Sequence, residues 1–398
     1  MGKYNFLKIF KEISNSSEGL LSSLRQLPNN LKDNIKDRLN NDEKLYSSPV
    51  FEPVFGWETG KKPFSENEDL SPAFIKKITS DNDMIPYAHQ EEAWHSLLKE
   101  KKSLVVASGT GSGKTECFLY PILSELYQEA QQQGKLTGIR ALFIYPLNAL
   151  IEDQKHRLDR LCNEKIQYCL YNGLLPERIR PEDERKNLCQ IGCRKTLREA
   201  PSPILITNIT MLEYMLIRKV DAPIIEKSQK KLRWIVLDEA HTYTGANAAE
   251  LSLLLARTLK AFGVTKDEVH FIATSATIGG NKAKEKLQKF LSSIAKIDAN
   301  KVHVIFGKRK IDQILTCISD NDFDISTFEN KEGKELFERI CCNNLSRKLR
   351  ETFFSKNFSE TFSHDLTEIS NFLSKETGRQ FSDTDTLKCL DIVANAWY

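Results

Sequence analysis

Short apolar runs alternate with longer amphipathic stretches through the middle of the chain. Seven runs have the length and composition of strands buried on both faces of a sheet, namely residues 104–107, 141–145, 166–170, 204–207, 235–238, 269–274 and 302–306. Stretches with helical spacing separate them, and in one of these, 248–262, four leucines form a single stripe. The pattern predicts an α/β fold, a parallel sheet between helices, with ligands at the carboxyl ends of the strands.

The two ends of the chain differ from this middle part. Residues 1–84 contain helical apolar spacing followed by a stretch rich in Pro, Gly and Ser, and they carry no motif. Residues after Lys308 form a run of modest, polar helical stretches. We therefore expect an accessory segment at 1–84, an α/β nucleotide-binding domain at 85–308 and a helical segment at 309–398.

A glycine-rich segment follows the first strand-like run. Residues 108–115 read SGTGSGKT, with Ser108 where the usual pattern has glycine, and a helical stretch comes next. In this setting backbone N–H groups close around phosphates, the Lys114 ammonium contacts the β and γ oxygens, and the Thr115 hydroxyl ligates Mg²⁺. The expected nucleotide-binding residues are Gly109, Thr110, Gly111, Ser112, Gly113, Lys114 and Thr115.

Two acidic residues, Asp238 and Glu239, end another apolar run. At the carboxyl end of a parallel strand they would lie beside the phosphate loop. Asp238 is expected to hold the Mg²⁺ and Glu239 to polarise the water that attacks the γ-phosphate, so that Lys114, Asp238 and Glu239 are the catalytic candidates. The alternative is a pair of acids that merely opens a surface loop.

A third motif, Ser275-Ala276-Thr277, also follows a strand-like run. The order of SGTGSGKT, DEAH at 238–241 and SAT at 275–277 resembles the first RecA-like domain of superfamily-two helicases of the DEAD/DEAH class, over residues 85–306. The resemblance implies a RecA-like P-loop NTPase fold, ATP and Mg²⁺ as cofactors, and a nucleic acid as partner. It also implies residues that couple the nucleotide state to nucleic-acid grip, which are Asp238, His241, Ser275 and Thr277.

Further segments resemble the same family. Residues 87–90, YAHQ, are similar to the adenine-reading segment, which makes Gln90 the expected base contact. Residues 145–150, YPLNAL, resemble motif Ia, and residues 207–208 resemble motif Ib. The implied nucleic-acid contacts are Pro146, Asn148, Thr207 and Asn208. IEDQ at 151–154 and TYTG at 242–245 resemble large Lhr-type prokaryotic DNA helicases, so that DNA is favoured over RNA.

A motor of this class needs a second RecA-like domain, which supplies arginines to the γ-phosphate. The residues after Thr277 are too few for one, and the Gly378-Arg379 pair lacks the second arginine of a finger motif. We therefore expect the chain to be the amino-terminal part of a larger helicase, a subunit of a split helicase whose partner carries the second domain, or a degenerate relative.

Composition and charge limit the partners, the cellular location and the metal sites that fit the sequence. The net charge is only +3, so nucleic-acid binding would depend on local basic patches. Nine cysteines without a signal peptide predict a reducing, cytoplasmic location, and no apolar run reaches the ~18 residues of a membrane span, so that no membrane partner is expected. A zinc site remains an alternative, although the spacing favours cysteines that bind no metal. The residues concerned are Cys162, Cys169, Cys189 and Cys193.

Three other functions fit a phosphate loop. A transporter ATPase would carry an LSGGQ-like signature and a kinase would need a lid and an acceptor site, and the sequence contains neither. A nucleotide-gated module that binds nucleic acid or a partner without productive turnover stays open. Stimulation of ATP hydrolysis by single-stranded nucleic acid would separate a motor from such a switch.

Overall fold

The computed structural model describes residues 5–23, 30–31, 49–51, 56–79, 83–109, 111–180, 182, 186–275, 282–310, 333–354 and 364–397. The chain divides into two compact units. One unit is Gly56–Lys310, and the other combines Met1–Phe55 with Ile311–Tyr398.

The first helix and strand, α1 (Phe6–Ser23) and β1 (Val50–Phe51), belong to the discontinuous unit. The helices of the unit Gly56–Lys310 are α2 (Pro72–Ile78), α3 (Ala88–Leu98), α4 (Lys114–Gln133), α5 (Asn148–Leu161), α6 (Arg194–Glu199), α7 (Ile209–Ile217), α8 (Ala222–Glu226), α9 (Ala246–Phe262) and α10 (Ala283–Ala295). Its strands are β2 (Ser103–Ala107), β3 (Ala141–Ile144), β4 (Tyr168–Tyr171), β5 (Ile204–Thr207), β6 (Trp234–Leu237), β7 (His270–Ser275) and β8 (Val302–Phe306). The discontinuous unit continues with α11 (Gly333–Cys342), α12 (Asn344–Leu349), β9 (His364–Asp365), α13 (Leu366–Thr377) and α14 (Asp383–Trp397).

The strands of Gly56–Lys310 form one sheet in the order β4-β5-β3-β6-β7-β2-β8, and each neighbouring pair is parallel. Every residue of β2 to β6 is buried, because helices cover both faces. The predicted parallel sheet between helices is thereby confirmed. Its carboxyl edge carries the ends of β2, β6 and β7, where the three motifs begin.

Side-chain alternation along the strands feeds two hydrophobic cores. On β6, Ile235 and Leu237 join the cluster that includes Leu255 of α9. Trp234 and Val236 point to the opposite face and join the cluster that includes Phe118 of α4. The helix that follows the phosphate loop is therefore packed on one face of the sheet, which fixes the loop at the sheet's carboxyl edge.

Strand β4 begins later than the sequence pattern predicts. The pattern starts it at residue 166, whereas the strand is Tyr168–Tyr171. The Asn163 side-chain oxygen accepts hydrogen bonds from the N–H groups of Lys165 at 2.9 Å and Ile166 at 3.0 Å, which closes a turn there. Ile166 is fully buried within that turn, so its apolar character reflects the core and not a strand.

A charged cluster fixes α4 to the amino edge of the sheet, opposite the motifs. The Arg140 guanidinium donates to the Glu129 carboxylate at 2.6 and 2.9 Å, and Arg233 donates to the same carboxylate at 2.5 Å. The Arg140 and Glu129 side chains are only 6% and 13% exposed. Burial alone would raise the pKa of Glu129, but the hydrogen bonds from the two arginines hold it below its usual range.

The discontinuous unit has a core of its own, which includes Leu349, Ile369 and Leu390. Its strand β1 pairs with β9 in antiparallel fashion. The Asp391 carboxylate on α14 accepts hydrogen bonds from the N–H groups of Phe6 and Leu7, at the start of α1. In the part of the chain that the structure describes, no helix combines the length and the apolar character needed to cross a membrane.

Candidate nucleotide site

The phosphate loop turns between β2 and α4 through two glycines in the left-handed region. Gly111 and Gly113 have φ values of +73° and +71°, which residues with a Cβ rarely adopt. Ser108, which stands where glycine is usual, is 1% exposed, and its hydroxyl lies 2.6 Å from the Ser112 hydroxyl. The departure from the pattern therefore adds a hydrogen bond across the base of the loop.

The lysine of the loop meets the SAT strand. Lys114 is the first residue of α4, and its Nζ lies 3.5 Å from the Ser275 carbonyl oxygen at the end of β7. Strands β2 and β7 are parallel neighbours, with Ala107 opposite Ser275. The structure thus brings the first and third motifs together although 161 positions separate the two residues.

A buried threonine links the acidic pair to the same strand. The Thr274 hydroxyl donates to the Asp238 carboxylate and accepts from the Glu239 N–H at 3.1 Å. Thr274 is fully buried, and Glu239 adopts a left-handed backbone with a φ of +48°. Residues other than glycine rarely adopt this backbone conformation, and the Glu239 carboxylate lies 3.3 Å from His241 Nδ1.

Thr274 was missed by the sequence analysis. It lies directly before Ser275, and strand alternation places its side chain on the same face as that of Asp238, because Leu237 is opposite Ala273 in the register of β6 and β7. A hydroxyl residue beside a strand-terminal acid on a neighbouring strand is the signal that could have identified it. Reading that signal requires knowing that β6 and β7 are neighbours.

Electrostatics at the site favour a bound cation. Burial raises the pKa of Asp238, the Thr274 hydrogen bond and the Lys114 charge oppose the rise, and Glu239 adds to it. Two adjacent, half-buried carboxylates are stabilised by nearby positive charge. The oxygen donors of Asp238 and of half-buried Thr115, at the start of α4, suit Mg²⁺, which prefers such ligands and retains waters. The residues present therefore fit this ion.

The expected adenine contact packs against the phosphate loop. Gln90 is 5% exposed, its Nε2 donates to the Gly113 carbonyl at 3.1 Å, and its Oε1 accepts from the Tyr87 N–H at 2.9 Å. Each of these atoms keeps one further hydrogen-bonding position, so the amide can still engage a base. The adenine contact stays a prediction.

The expected nucleic-acid contacts lie at the carboxyl ends of β3 and β5. The Asn208 amide donates to the Asn148 side-chain oxygen at 2.8 Å, while its own oxygen caps α7 through the Met211 N–H. Pro146 is half-buried, and Asn148 is exposed. Thr207 is fully buried, and its hydroxyl donates to the Tyr171 carbonyl at 2.7 Å. Motifs Ia and Ib are therefore joined side by side.

Two expected site residues, Thr110 and Thr277, lie outside the described residues. The four cysteines considered for zinc are placed: Cys162, Cys169 and Cys193 are buried and Cys189 is half-buried. Burial raises the pKa of the Cys162 and Cys169 thiols. Within the described ranges, no group of three or more His, Cys, Asp or Glu side chains could hold a metal ion.

The chain belongs to the DEAD/DEAH box helicase family, whose model matches residues 87–322. This confirms the resemblance inferred from the motifs, and with it the RecA-like helicase fold. Druantia protein DruE of Escherichia coli (strain UMEA 4076-1) is 27% identical over an alignment of 421 positions that covers 78% of this chain and 22% of that protein. The ATP-dependent helicase Lhr-Core of Saccharolobus solfataricus is 29% identical over 185 residues, or 46% of this chain and 20% of that protein.

Among solved structures, the DUF1998 helicase MrfA bound to DNA is similar, with a TM-score of 0.46 and 23% identity, over 68% of this chain and 34% of that one. The chain spans about a fifth of the length of the two curated relatives, at 22% and 20%.

Proposed function

We propose that this chain binds and hydrolyses ATP as the motor domain of a nucleic-acid helicase. The observation that carries the proposal is the meeting of three motifs on β7: Lys114 contacts the Ser275 carbonyl, and the adjacent Thr274 hydroxyl holds Asp238. A phosphate-binding lysine and a pair of strand-end carboxylates at one sheet edge form the arrangement that phosphoryl transfer to water needs.

Each residue has a distinct role in this scheme. The N–H groups of the loop and the Lys114 ammonium bind the phosphates and neutralise charge on the β and γ oxygens. The Glu239 carboxylate, whose side chain is 30% exposed, orients the attacking water and accepts its proton. His241 and Ser275, together with Thr277, would transmit the nucleotide state to the nucleic-acid surface.

Mg²⁺, held by Thr115 and Asp238, would supply positive charge to the phosphate oxygens when ATP is bound. Asp238 must be ionised to do so. Its raised pKa means that burial opposes ionisation, whereas the Thr274 hydroxyl and the Lys114 charge favour it. The chain's own contribution is therefore to keep a half-buried carboxylate charged at the carboxyl edge of the sheet.

The nucleic-acid surface would be the joined ends of β3 and β5. The exposed Asn148 and its partner Asn208 present amide groups suited to a sugar-phosphate backbone, with half-buried Pro146 beside them. Thr207 would not contact the nucleic acid directly, and its hydrogen bond to the Tyr171 carbonyl would instead hold the end of β5 against β4. DNA is favoured over RNA because of the resemblance to Lhr-type DNA helicases.

A second RecA-like domain, in a longer chain or in a partner subunit, would complete the motor by supplying arginines to the γ-phosphate. The short coverage of the curated relatives, 22% and 20%, is compatible with this. We also propose that the chain consists of an accessory segment at 1–84, the nucleotide-binding domain at 85–308 and a helical segment at 309–398. A cytoplasmic location is part of the same proposal.

ATP hydrolysis with and without single-stranded DNA and RNA tests the function. We expect slow basal hydrolysis that single-stranded DNA raises more than RNA of the same sequence, with Glu239→Gln as the inactive control. Tight ATP and nucleic-acid binding without turnover, in the presence of a second RecA-like domain, would instead identify a nucleotide-gated binding module.

A further inference from the structure

We propose that His89 is a positioning residue that aims the phosphate loop's N–H groups at the nucleotide, an inference that rests on the proposed ATP-binding function. His89 lies on α3, beside the residue expected to read the base. Its Nε2 lies 2.8 Å from the Ser112 carbonyl oxygen. A carbonyl oxygen can only accept, so Nε2 carries the hydrogen and donates it.

His89 and Gln90 together hold two consecutive carbonyls of the loop. The His89 ring donates to Ser112, and the Gln90 amide donates to Gly113 at 3.1 Å. In a planar trans peptide the C=O and the following N–H point in opposite directions. The hydrogen bond that holds the Ser112 carbonyl toward α3 therefore turns the Gly113 N–H away from α3. The hydrogen bond to the Gly113 carbonyl likewise turns the Lys114 N–H away from α3.

The orientation of these peptides matters because the Ser108–Ser112 hydrogen bond joins side chains at the base of the loop and does not itself orient the Gly113 and Lys114 N–H groups. Gly111 and Gly113 have left-handed backbones, and glycine permits many other conformations at low cost. A loop that had to reorganise on binding would lose affinity to the entropy of ordering. The two hydrogen bonds from α3 remove that cost by holding the peptides before the nucleotide arrives.

The His89 ring is itself held rigidly. It is 3% exposed, it stacks on Tyr87 with ring centroids 5.6 Å apart and planes at 10°, and it meets Trp57 edge-on at 5.8 Å. Trp57 lies outside residues 87–322, the part of the chain that the family model matches. Burial lowers the pKa of His89, so the ring is neutral, and its Nδ1 has no partner among the described residues. The Nε2 hydrogen bond is therefore the ring's polar contact within those residues.

Two substitutions at this position separate the hydrogen bond from the packing. His89→Phe keeps an aromatic ring between Tyr87 and Trp57 but removes the donor. His89→Gln restores an amide donor near the Nε2 position. His95→Phe is the matched control, because it makes the same change on the same helix at a half-exposed side chain that contacts Asp69.

The measurements are the dissociation constant of a fluorescent ATP analogue and hydrogen exchange of the peptide spanning residues 108–116 in nucleotide-free protein. We expect His89→Phe to weaken binding about tenfold, the effect of one hydrogen bond, and to speed exchange in the loop. His89→Gln should recover most of both, and His95→Phe should match the wild type.

Equal exchange in the wild type and in folded His89→Phe would overturn the proposal, and so would a His89→Gln protein as defective as His89→Phe. If the wild type bound no ATP, the proposed function would fail. The exchange comparison would still decide whether His89 orders the loop, because it uses no nucleotide.

Discussion

The Thr274 hydroxyl donates a hydrogen bond to the Asp238 carboxylate. Since the same oxygen accepts the Glu239 N–H at 3.1 Å, one side chain on β7 holds both members of the acidic pair. The carbonyl oxygen of Ser275, the next residue, accepts a hydrogen bond from the Lys114 ammonium. Hydrogen bonds at the end of β7 therefore join the phosphate loop, the DEAH segment and the SAT segment.

Replacing Thr274 tests this connection. Thr274→Val keeps the shape but removes the hydroxyl, which leaves the Glu239 N–H without this acceptor and Asp238 without its hydroxyl donor. We expect the turnover number to fall at least tenfold while the dissociation constant for ATP changes less than threefold, because Lys114 is untouched. Thr274→Ser, which retains the hydroxyl, should stay near wild type. A loss of ATP affinity as large as the loss of turnover would contradict the assignment.

Substitutions in the phosphate loop and in the acidic pair should affect different steps, nucleotide binding and hydrolysis respectively. Lys114→Ala removes the cation that faces the β and γ phosphates and should abolish nucleotide binding. Glu239→Gln should bind ATP normally and hydrolyse it at a small fraction of the wild-type rate, because the amide cannot accept the water's proton. Isothermal titration with a non-hydrolysable analogue and a phosphate-release assay measure the two effects. Normal hydrolysis by Glu239→Gln would remove it from the catalytic site.

Gln90 should select adenine. Its amide keeps one donor and one acceptor position after its contacts with Gly113 and Tyr87, and these can pair with the N6 and N7 edge of adenine. A good bidentate contact contributes about 1–3 kcal/mol of discrimination, so GTP should bind at least about fivefold more weakly than ATP. Competition between the two nucleotides for the wild-type chain measures this ratio. Equal affinities would show that Gln90 acts on the loop alone.

Glu129→Gln should destabilise the fold far from the site. Removing one partner of a buried ion pair costs about 3 kcal/mol, and here it leaves Arg140 without its carboxylate. The folded-state pKa of Glu129 is lowered, so its stabilisation is complete above the usual value of 4.5 and is lost as pH falls through the folded value. Urea unfolding at pH 7 and 5.5 should show the same difference between variant and wild type. Below pH 4.5 the two should converge.

Turnover should depend on a second RecA-like domain. Arginines supplied in trans raise turnover by roughly 10³–10⁵ in related phosphoryl-transfer systems, so the 398-residue chain alone should hydrolyse ATP very slowly and should not separate strands. Adding the second domain, in a longer chain or as a partner subunit, should raise hydrolysis and make it dependent on nucleic acid. An unwinding assay on a tailed duplex checks this. Robust unwinding by the verified monomer would reveal a catalytic half elsewhere in this chain.

The positions of the motif residues follow from the sequence because apolar runs define strands and polar residues end them. Lys114 and Asp238 could be placed at one sheet edge in this way, since parallel strands share their carboxyl ends. Thr274 could not be placed, because its hydrogen bonds reach a residue 36 positions away on a strand whose neighbour the pattern does not specify.

His89 and Ser108 illustrate the same limit. Their contacts, to Ser112 in both instances, depend on how a helix and a loop approach in space. A histidine on the buried face of a helix and a serine in a glycine position have no distinctive spacing. Ile166 shows the reverse error, because a buried turn residue has the same apolar signature as a strand residue.

The position of β2 also bears on synthesis. The strand that carries the phosphate loop lies between β7 and β8, both of which follow it by more than 160 positions (Ala107 pairs with Ser275 and with Phe306). One edge of this buried, largely apolar strand therefore has no partner on the ribosome until β7 has emerged, and the other has none until β8 has emerged. Nascent chains that stop before β7 should be the aggregation-prone species, and chaperone demand should fall sharply once β8 is free of the exit tunnel.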